Sequence, residues 1–203
     1  MTQACLIVVL AKAPLAGYAK TRLIPALGPQ GAADLALRLL NHAVNEALGA
    51  ALGPVELCCA PHAGHAGFGE FALDPRLTLT DQGEGDLGQR MARAIERGLA
   101  SYAKVLLTGT DAPSLDAAVL RSAALALESH DAVFVPALDG GYVLIGLRKA
   151  VPSVFEDMPW STAEVMQRTR ERLALQGLAH AELAPLPDID APADLGHLPP
   201  GWL

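Results

Sequence analysis

The chain has 203 residues, of which 51% are hydrophobic and 18% are charged, and its formal net charge is −7. This composition excludes an intrinsically disordered chain. The acidic balance argues against nucleic acid as a partner, because binding to its phosphates needs a basic face. No apolar run approaches the roughly 18 residues of a transmembrane helix, and the first residues lack the basic region of a secretory signal. We therefore expect a cytoplasmic protein without membrane association, folded as one domain over residues 1–203.

Apolar runs alternate with helical patterns along the chain, which predicts an α/β protein with three layers: a mainly parallel sheet with helices on both faces. The predicted strands, in chain order, are Cys5–Leu10, Val55–Ala60, Leu77–Thr80, Lys104–Leu107, Ala132–Val135, Tyr142–Leu147 and a weaker one near Ala181–Ala184. The predicted helices cover Gln30–Leu48, Leu87–Ser101 and Asp116–Leu127. A fourth helix is expected to open at Ser161-Thr-Ala-Glu164, a pattern typical of a capping box.

The first loop, residues 12–23, brings three cations to the end of the first predicted strand. Lys12, Lys20 and Arg22 lie close together around Gly17, although the whole chain has only 15 Lys and Arg residues. Open α/β sheets bind ligands at the carboxyl ends of their strands, and clustered cations with free backbone N–H groups suit phosphate. The loop is not a P-loop, because it lacks the Gly-Lys-Ser/Thr sequence. The alternative is an ordinary solvated loop.

Acidic residues follow two later segments. Asp111 comes directly after the fourth predicted strand, where a carboxylate could bind Mg²⁺ together with phosphate oxygens. Asp188 and Asp190 are two residues apart, so in an extended segment they point to the same side and could complete such a site. The alternatives are that Asp111 is a turn or cap residue before the helix at Asp116, and that Asp190 caps a short helix near Pro192.

A glycine-rich loop follows the third predicted strand. Gly83, Gly85 and Gly88 match the pattern G-x-G-x-x-G, and Asp111 lies about twenty residues later, as in dinucleotide-binding proteins. That fingerprint normally occupies the first strand–helix turn, whereas here two strands and the cationic loop come before it. We therefore favour a flexible loop that closes over a base, and we keep an NAD(P)-dependent oxidoreductase as an alternative.

Two further segments could border a ligand. Asp139-Gly140 joins two apolar runs, which predicts a hairpin or an antiparallel insertion. The consecutive glycines Gly140 and Gly141, before Tyr142, could also let a ligand approach the backbone closely. Trp160 precedes a predicted helix, where it could anchor the core or a lid rather than contact a ligand. No Ser-His-Asp or Cys-His arrangement stands out, so covalent catalysis has no support.

Six motifs carry a resemblance to a known family. They are, in order, KAPLAGYAKTRL, QGEGDLGQRM, GTDAPSL, PALDGGYVLIGL, PWST and DIDAPADL, between residue 12 and residue 195. Together they resemble DUF2064, a bacterial family related to nucleotide-diphospho-sugar transferases and to the molybdopterin and phospholactate nucleotidylyltransferases. The resemblance covers nearly the whole chain and implies a GT-A fold.

The resemblance also implies a set of site residues. The nucleotide phosphates would be held by Lys12, Gly17, Lys20 and Arg22, and the base and ribose would face Gln82, Gly83 and Gly88. The acceptor or sugar pocket would be bordered by Asp139, Gly140, Gly141, Tyr142 and Trp160. Asp111 would bind the metal ion with Asp190 as the second ligand, and Asp188 is the alternative to Asp190.

The function that we expect is a Mg²⁺- or Mn²⁺-dependent transferase that binds a nucleotide or nucleotide-sugar and a small-molecule acceptor. Lys20, Arg22 and the metal ion at Asp111 would neutralise charge on the diphosphate as a bond to it breaks. The family resemblance favours glycosyl transfer. A nucleotidylyltransferase that moves NMP from an NTP to a phosphorylated acceptor remains open, as does a non-catalytic nucleotide-binding protein.

Overall fold

Seven strands form one mixed sheet in the computed structural model, which describes residues 5–202; residues 1–4 and 203 of the predicted domain lie outside the described part. The strands are β1 (Cys5–Lys12), β2 (Val55–Ala60), β3 (Leu77–Asp81), β4 (Lys104–Thr108), β5 (Ala132–Pro136), β6 (Tyr142–Leu147) and β7 (His180–Glu182). Their order in the sheet is β3-β2-β1-β4-β6-β5-β7. β6 lies between β4 and β5 and runs antiparallel to both, whereas the other neighbours are parallel. The mainly parallel sheet and its antiparallel insertion were both predicted.

Four α-helices cover the two faces of the sheet and produce the predicted three layers. They are α1 (Ile24–Ala50), α2 (Leu87–Leu99), α3 (Ala117–Ala126) and α4 (Val165–Leu175). Leu40 of α1 and Leu120 of α3 pack in the core on one face. Ile95 of α2 and Leu173 of α4 pack in the core on the other. Among residues 5–202, no helix combines the length and the apolar character that a membrane crossing requires.

The two covered faces explain why the sequences of the central strands are mostly apolar. Every residue of β2 and of β4 is buried, because parallel strands packed by helices on both sides have no solvent face. α1 contains a break at Gly28, whose φ of 71° is not helical. Pro29 follows it, and proline suits the first turn of a helix. The regular part of α1 therefore begins close to the predicted start at Gln30.

The prediction of a capping box at Ser161 is wrong. α4 begins at Val165, and Ser161 has a φ of 64°. A capping serine needs an extended backbone, so this left-handed residue cannot serve as the cap. The Glu164 carboxylate instead forms an ion pair with Arg168, one helical turn later, at 2.8 Å.

The segment of residues 183–202, here called the C-terminal segment, returns across the carboxyl edge of the sheet. The backbone N–H of Ile189 donates a hydrogen bond to the carbonyl oxygen of Asp111. The Ile189 side chain is fully buried in a small core beneath α1, together with Leu23. A short 3-10 helix follows at Pro192–His197. The short helix that the sequence analysis placed near Pro192 is therefore present.

Candidate functional site

A cleft of about 520 Å³ opens at the carboxyl edge of the sheet. The chain leaves β1 toward β2 on one side, while β4 lies on the other, and ligands of open α/β sheets bind at such a reversal of strand order. The predicted site residues that line the cleft are Lys12, Lys20, Arg22, Gln82, Asp111, Asp139, Gly141, Tyr142, Trp160, Asp188 and Asp190. The predicted residues Gly17, Gly83, Gly88 and Gly140 do not line it.

Lys20 lies at the centre of the acidic part of the cleft. Its Nζ atom is 2.7 Å from Oδ1 of Asp111 and 3.8 Å from Oδ1 of Asp190. It also donates a hydrogen bond to the carbonyl oxygen of Ile189. The Lys20 side chain is 7% exposed, whereas that of Asp111 is 44% exposed. The cationic loop and the acidic residues are thus brought together as the strand-end argument predicted.

The backbone of Lys20 directs this side chain into the cleft. Its φ and ψ are 48° and 42°, in the left-handed region. That conformation costs a residue other than glycine about 1–2 kcal/mol. The ammonium group forms an ion pair with Asp111 and a hydrogen bond to Ile189. These two contacts and the left-handed backbone together define the position of the Lys20 side chain.

The other two cations of the loop are more exposed. Nη1 of Arg22 is 2.6 Å from Oδ2 of Asp190, and the Arg22 side chain is 63% exposed. Lys12, the last residue of β1, is exposed at the cleft. Gly17 has a φ of 78°, so its role is to let the loop turn between these cations.

Asp188 lies in the cleft near three other carboxylates. Partial burial and the negative charges of Asp139, Asp111 and Asp190 together raise the pKa of Asp188 to about 6. The site therefore holds an acidic cluster around a single buried ammonium group. From the sequence, Asp188 was predicted only as the alternative to Asp190 as a metal ligand. The signal was that the two residues are two positions apart.

The structure does not support the helix-cap alternatives for the predicted metal ligands. Asp116 is the residue that caps α3, since its Oδ1 accepts a hydrogen bond from the N–H of Val119 at 2.8 Å. At the short C-terminal helix, Asp194 accepts the backbone N–H of Asp190 at 3.0 Å. The side chains of Asp111 and Asp190 are left facing the cations of the cleft.

Gln82 follows β3 and is anchored in the wall of the cleft. Its side-chain amide donates hydrogen bonds of 3.0 Å to the carbonyl oxygens of Ala11 and Cys58, and the residue is 6% exposed. The amide group thus fixes the side chain across the ends of β1 and β2. The side-chain oxygen Oε1 of Gln82 accepts no hydrogen bond from residues 5–202, which leaves a fixed acceptor for a ligand, whereas the backbone carbonyl oxygen of Gln82 accepts one from Arg93.

The glycine-rich loop leads into the capped N-terminus of α2 and does not form a binding site for a dinucleotide. Asp86 and Gln89 form a reciprocal capping box, with the N–H of Gln89 donating to Asp86 Oδ1 at 2.8 Å and the N–H of Asp86 donating to Gln89 Oε1 at 3.0 Å. Arg93 donates a hydrogen bond of 2.8 Å to the carbonyl oxygen of Glu84. In a dinucleotide site the helix N-terminus faces the pyrophosphate. Here the chain's own side chains occupy it, which does not support the NAD(P) alternative.

Gly88 is required by packing against Phe155 and Trp160. A Cβ atom built on Gly88 would clash with the backbone carbonyl oxygen of Phe155 and would lie 2.9 Å from Nε1 of Trp160, so only glycine allows both groups this close to α2. Trp160 also makes an edge contact with Tyr142, with ring centroids 6.4 Å apart. Trp160 therefore joins α2 to β6 while one part of it lines the cleft, which agrees with the expectation of an anchor.

The predicted hairpin at Asp139 is present. Oδ1 of Asp139 accepts the N–H of Gly141 at 2.9 Å, and Gly140 has a φ of 96°. Gly140 packs against the backbone of Ala163, so its lack of a side chain serves this contact rather than a ligand. Asp139, Gly141 and Tyr142 face the cleft.

Several cleft residues were not predicted from the sequence. Tyr18, Leu87 and Met91 supply apolar surface on the side of β1 and α2, and the carbonyl oxygen of Ile189 binds Lys20. Tyr18 and Leu87 lie in the motifs that were quoted, but ordinary apolar residues carry no chemical signal of their own. A backbone carbonyl carries none either.

The acidic cluster is not a ready-made metal site. Within residues 5–202, no three His, Cys, Asp or Glu side chains are placed so that they could hold one metal ion. The donor chemistry nevertheless fits Mg²⁺ or Mn²⁺, since carboxylate oxygens surround a position that already holds a cationic group. Mg²⁺ commonly uses only one or two carboxylates and takes its other ligands from phosphate and water.

Comparison with known proteins shows the family of this chain. The family model described as "Uncharacterized protein conserved in bacteria (DUF2064)" matches residues 43–162. A crystal structure named "putative nucleotide-diphospho-sugar transferase", from Desulfovibrio desulfuricans G20, is 31% identical with a TM-score of 0.84, over 92% of this chain and 82% of that chain. None of the functionally curated proteins matches the sequence significantly.

More distant structures share the fold alone. CMP:2-keto-3-deoxy-manno-octonic acid synthetase, solved with CTP, is 12% identical with a TM-score of 0.59, over 96% of each chain. Rv0371C from Mycobacterium tuberculosis, solved with manganese, is 16% identical with a TM-score of 0.54, over 97% of this chain and 98% of that chain. The predicted α/β fold class and the suspected family are confirmed, and the solved relatives named above include transferases, as the sequence predicted. The chain belongs to the DUF2064 family.

Proposed function

We propose that this protein is a divalent-cation-dependent transferase that binds a nucleotide or nucleotide-sugar in the cleft beyond β1 and β4. The proposal depends on one observation, the distance of 2.7 Å between Nζ of Lys20 and Oδ1 of Asp111. A phosphate-binding cation from one strand end and a metal-binding carboxylate from the next are what a diphosphate and its metal ion require. The name of the Desulfovibrio relative supports this class of donor.

The cationic loop would bind the diphosphate. Lys20 offers a partly buried ammonium group and Arg22 an exposed guanidinium, which suits bidentate contact with phosphate oxygens. Lys12 adds a third charge at the end of β1. Catalysis would rest on positioning and on neutralising the charge that develops on the leaving group, with no protein nucleophile.

The acidic cluster would hold the metal ion. Asp111 is the first ligand that we propose, with Asp190 as the second and Asp188 as its alternative. A bound Mg²⁺ or Mn²⁺ would supply Lewis-acid stabilisation of the diphosphate. The manganese complex of Rv0371C, a protein with the same fold, supports a divalent ion as the proposed cofactor.

The two ends of the cleft suggest where the rest of the substrates bind. The free side-chain oxygen of Gln82, in a cleft that Tyr18 and Leu87 also line, suits a nucleobase, because a base offers N–H donors and a flat apolar face. Trp160 and the Asp139 hairpin, on the side of β6, border the proposed acceptor or sugar pocket.

Glycosyl transfer is the reaction that we propose first, because the relative with 31% identity carries a nucleotide-diphospho-sugar name. Nucleotidyl transfer is the second candidate, and the CTP complex of a protein with the same fold favours it. The products separate the two reactions. Glycosyl transfer releases a nucleoside diphosphate from a nucleotide-sugar, whereas nucleotidyl transfer releases pyrophosphate from an NTP.

The test is a thermal-shift and calorimetric screen of nucleotides and nucleotide-sugars, with and without Mg²⁺ or Mn²⁺. A ligand at one hundred times its Kd stabilises the native state by about 2.7 kcal/mol. We expect a metal-dependent shift for at least one nucleotide or nucleotide-sugar, lost in Asp111→Asn and kept in Asp74→Asn, a carboxylate engaged with Arg76 away from the cleft. If no compound in the screen binds, or if Asp111→Asn binds it as the wild type does, the proposed function is wrong.

A further inference from the structure

We propose that Lys20 and a divalent cation are alternative occupants of one position in the cleft, so that Lys20 opposes metal binding in the nucleotide-free protein. This inference rests on the proposed function, in which a metal ion binds at Asp111. It adds a further role for Lys20, which was predicted to bind phosphate and to neutralise charge on the diphosphate.

Oxygen atoms surround the ammonium group of Lys20. Its Nζ atom contacts a carboxylate oxygen of Asp111 and the carbonyl oxygen of Ile189, and a carboxylate oxygen of Asp190 lies 3.8 Å away. Carboxylate and carbonyl oxygens are the ligands that hard divalent cations take in proteins. The best cation position among these oxygens is therefore already filled by the chain itself.

The surrounding structure holds the Lys20 side chain in this position, so its contacts are not the chance contacts of a flexible side chain. The Lys20 side chain is 7% exposed, and its backbone adopts a left-handed conformation that directs it inward. The carbonyl group of Ile189 is held by its own residue, whose N–H binds the carbonyl of Asp111 at 2.8 Å and whose side chain is fully buried.

The charge of the ammonium group also opposes metal binding. An ammonium group 2.7 Å from Asp111 would repel a divalent ion placed on the same carboxylate. Nucleotide phosphates would provide new partners for the ammonium group. Metal and nucleotide binding would then be coupled, and such coupling is reciprocal.

The experiment is a titration of the nucleotide-free protein with Mn²⁺ alone, followed by the EPR signal of free Mn²⁺ and by calorimetry. Lys20→Met removes the ammonium group, and Lys12→Met removes an equal charge from the same loop. Lys12 lies at the cleft but does not take part in the ion pairs at Asp111. We expect Lys20→Met to bind Mn²⁺ at least tenfold more tightly than the wild type, and Lys12→Met to stay within threefold of it.

A double variant locates the ion. Adding Asp111→Asn to Lys20→Met should abolish the gain in Mn²⁺ affinity. Lys20→Gly provides a second way to remove the ammonium group if Lys20→Met fails to fold, because glycine adopts the left-handed backbone without strain. Equal Mn²⁺ affinity in the wild type and both Lys20 variants overturns the inference, as does a gain that survives Asp111→Asn. The nucleotide screen is independent of this titration, so failure of the proposed function is recognised separately.

Discussion

The backbone N–H of Ile189 donates a hydrogen bond of 2.8 Å to the carbonyl oxygen of Asp111. This bond joins the C-terminal segment to the loop after β4. The buried side chain of Ile189 fixes the same segment from below, beside Leu23 of the first loop. One residue therefore sets the positions of Asp188 and Asp190, which precede and follow it.

We expect Ile189→Ala to lower the free energy of unfolding by about 2–4 kcal/mol, because it removes a fully buried side chain and leaves a cavity. Ile189→Val, which removes one methyl group, should cost about 0.5–1.5 kcal/mol. Urea unfolding followed by circular dichroism measures both. A loss below about 1 kcal/mol for the alanine variant would show that the C-terminal segment is not held as described.

The pH dependence of stability should report on Asp188. Its pKa is raised from 3.8 to about 6 in the folded protein, so the stability linked to its protonated form is lost as the pH rises through that range. Asp188→Asn should therefore gain stability relative to the wild type between pH 4 and pH 7. Because solvent screens a half-exposed carboxylate, we expect a gain of about 1 kcal/mol.

Asp74 provides a control of opposite sign. Hydrogen bonds from Arg76 lower the pKa of Asp74 to about 2, so Asp74→Asn should lose stability relative to the wild type as the pH rises from acid. Both series are measured by urea unfolding in EDTA. A difference between Asp188→Asn and the wild type that does not change with pH would contradict the raised pKa.

Gly88→Ala should displace Trp160 and the backbone at Phe155. The added Cβ atom would clash with the carbonyl oxygen of Phe155 and would lie 2.9 Å from Nε1 and 3.0 Å from Cζ2 of the indole, and overpacking of this kind costs about 1–3 kcal/mol. Gly196→Ala is the matched control, because no atom lies within 4 Å of its added Cβ. Thermal unfolding gives the stability, and fluorescence in a Trp202→Phe background reports on Trp160. An unchanged emission spectrum together with unchanged stability would show that the contact is not this close.

The three cysteines should be inert in the native protein. All three are free and buried, and burial raises the pKa of Cys5 to about 11 and that of Cys59 to about 12. Thiol reagents attack the thiolate. We expect no reaction with Ellman's reagent at pH 8 in buffer and three equivalents in concentrated urea. Rapid release of one equivalent from the native protein would contradict this burial.

The alternation of apolar runs and helical patterns was enough to predict the layers and six of the seven strands closely, because buried parallel strands have no polar face. The antiparallel β6 was indicated by the Asp139-Gly140 turn. The capping box at Ser161 could not be excluded from the sequence, since its residue pattern carries no information about φ. The weak last strand, near Ala181, proved to be the short β7 (His180–Glu182).

The candidate site was predictable in its chemistry but not in its contacts. Strand-end reasoning brought Lys20, Arg22 and Asp111 to one edge of the sheet. It could not show that Lys20 binds the carbonyl of Ile189, because the two residues are 169 positions apart. The packing of Gly88 against Trp160 could not be predicted either, since glycine in a loop is equally suited to a ligand and to a nearby indole.

The C-terminal segment also has a consequence for synthesis and degradation. All the strands from β1 to β6 leave the ribosome before Asp188 does, so a nascent chain can build most of its sheet while the cleft still lacks Asp188, Asp190 and the carbonyl partner of Lys20. A protease that clips the chain just before Leu186 would leave these strands but remove the same groups. The cleft is therefore completed only when the last part of the described chain is in place.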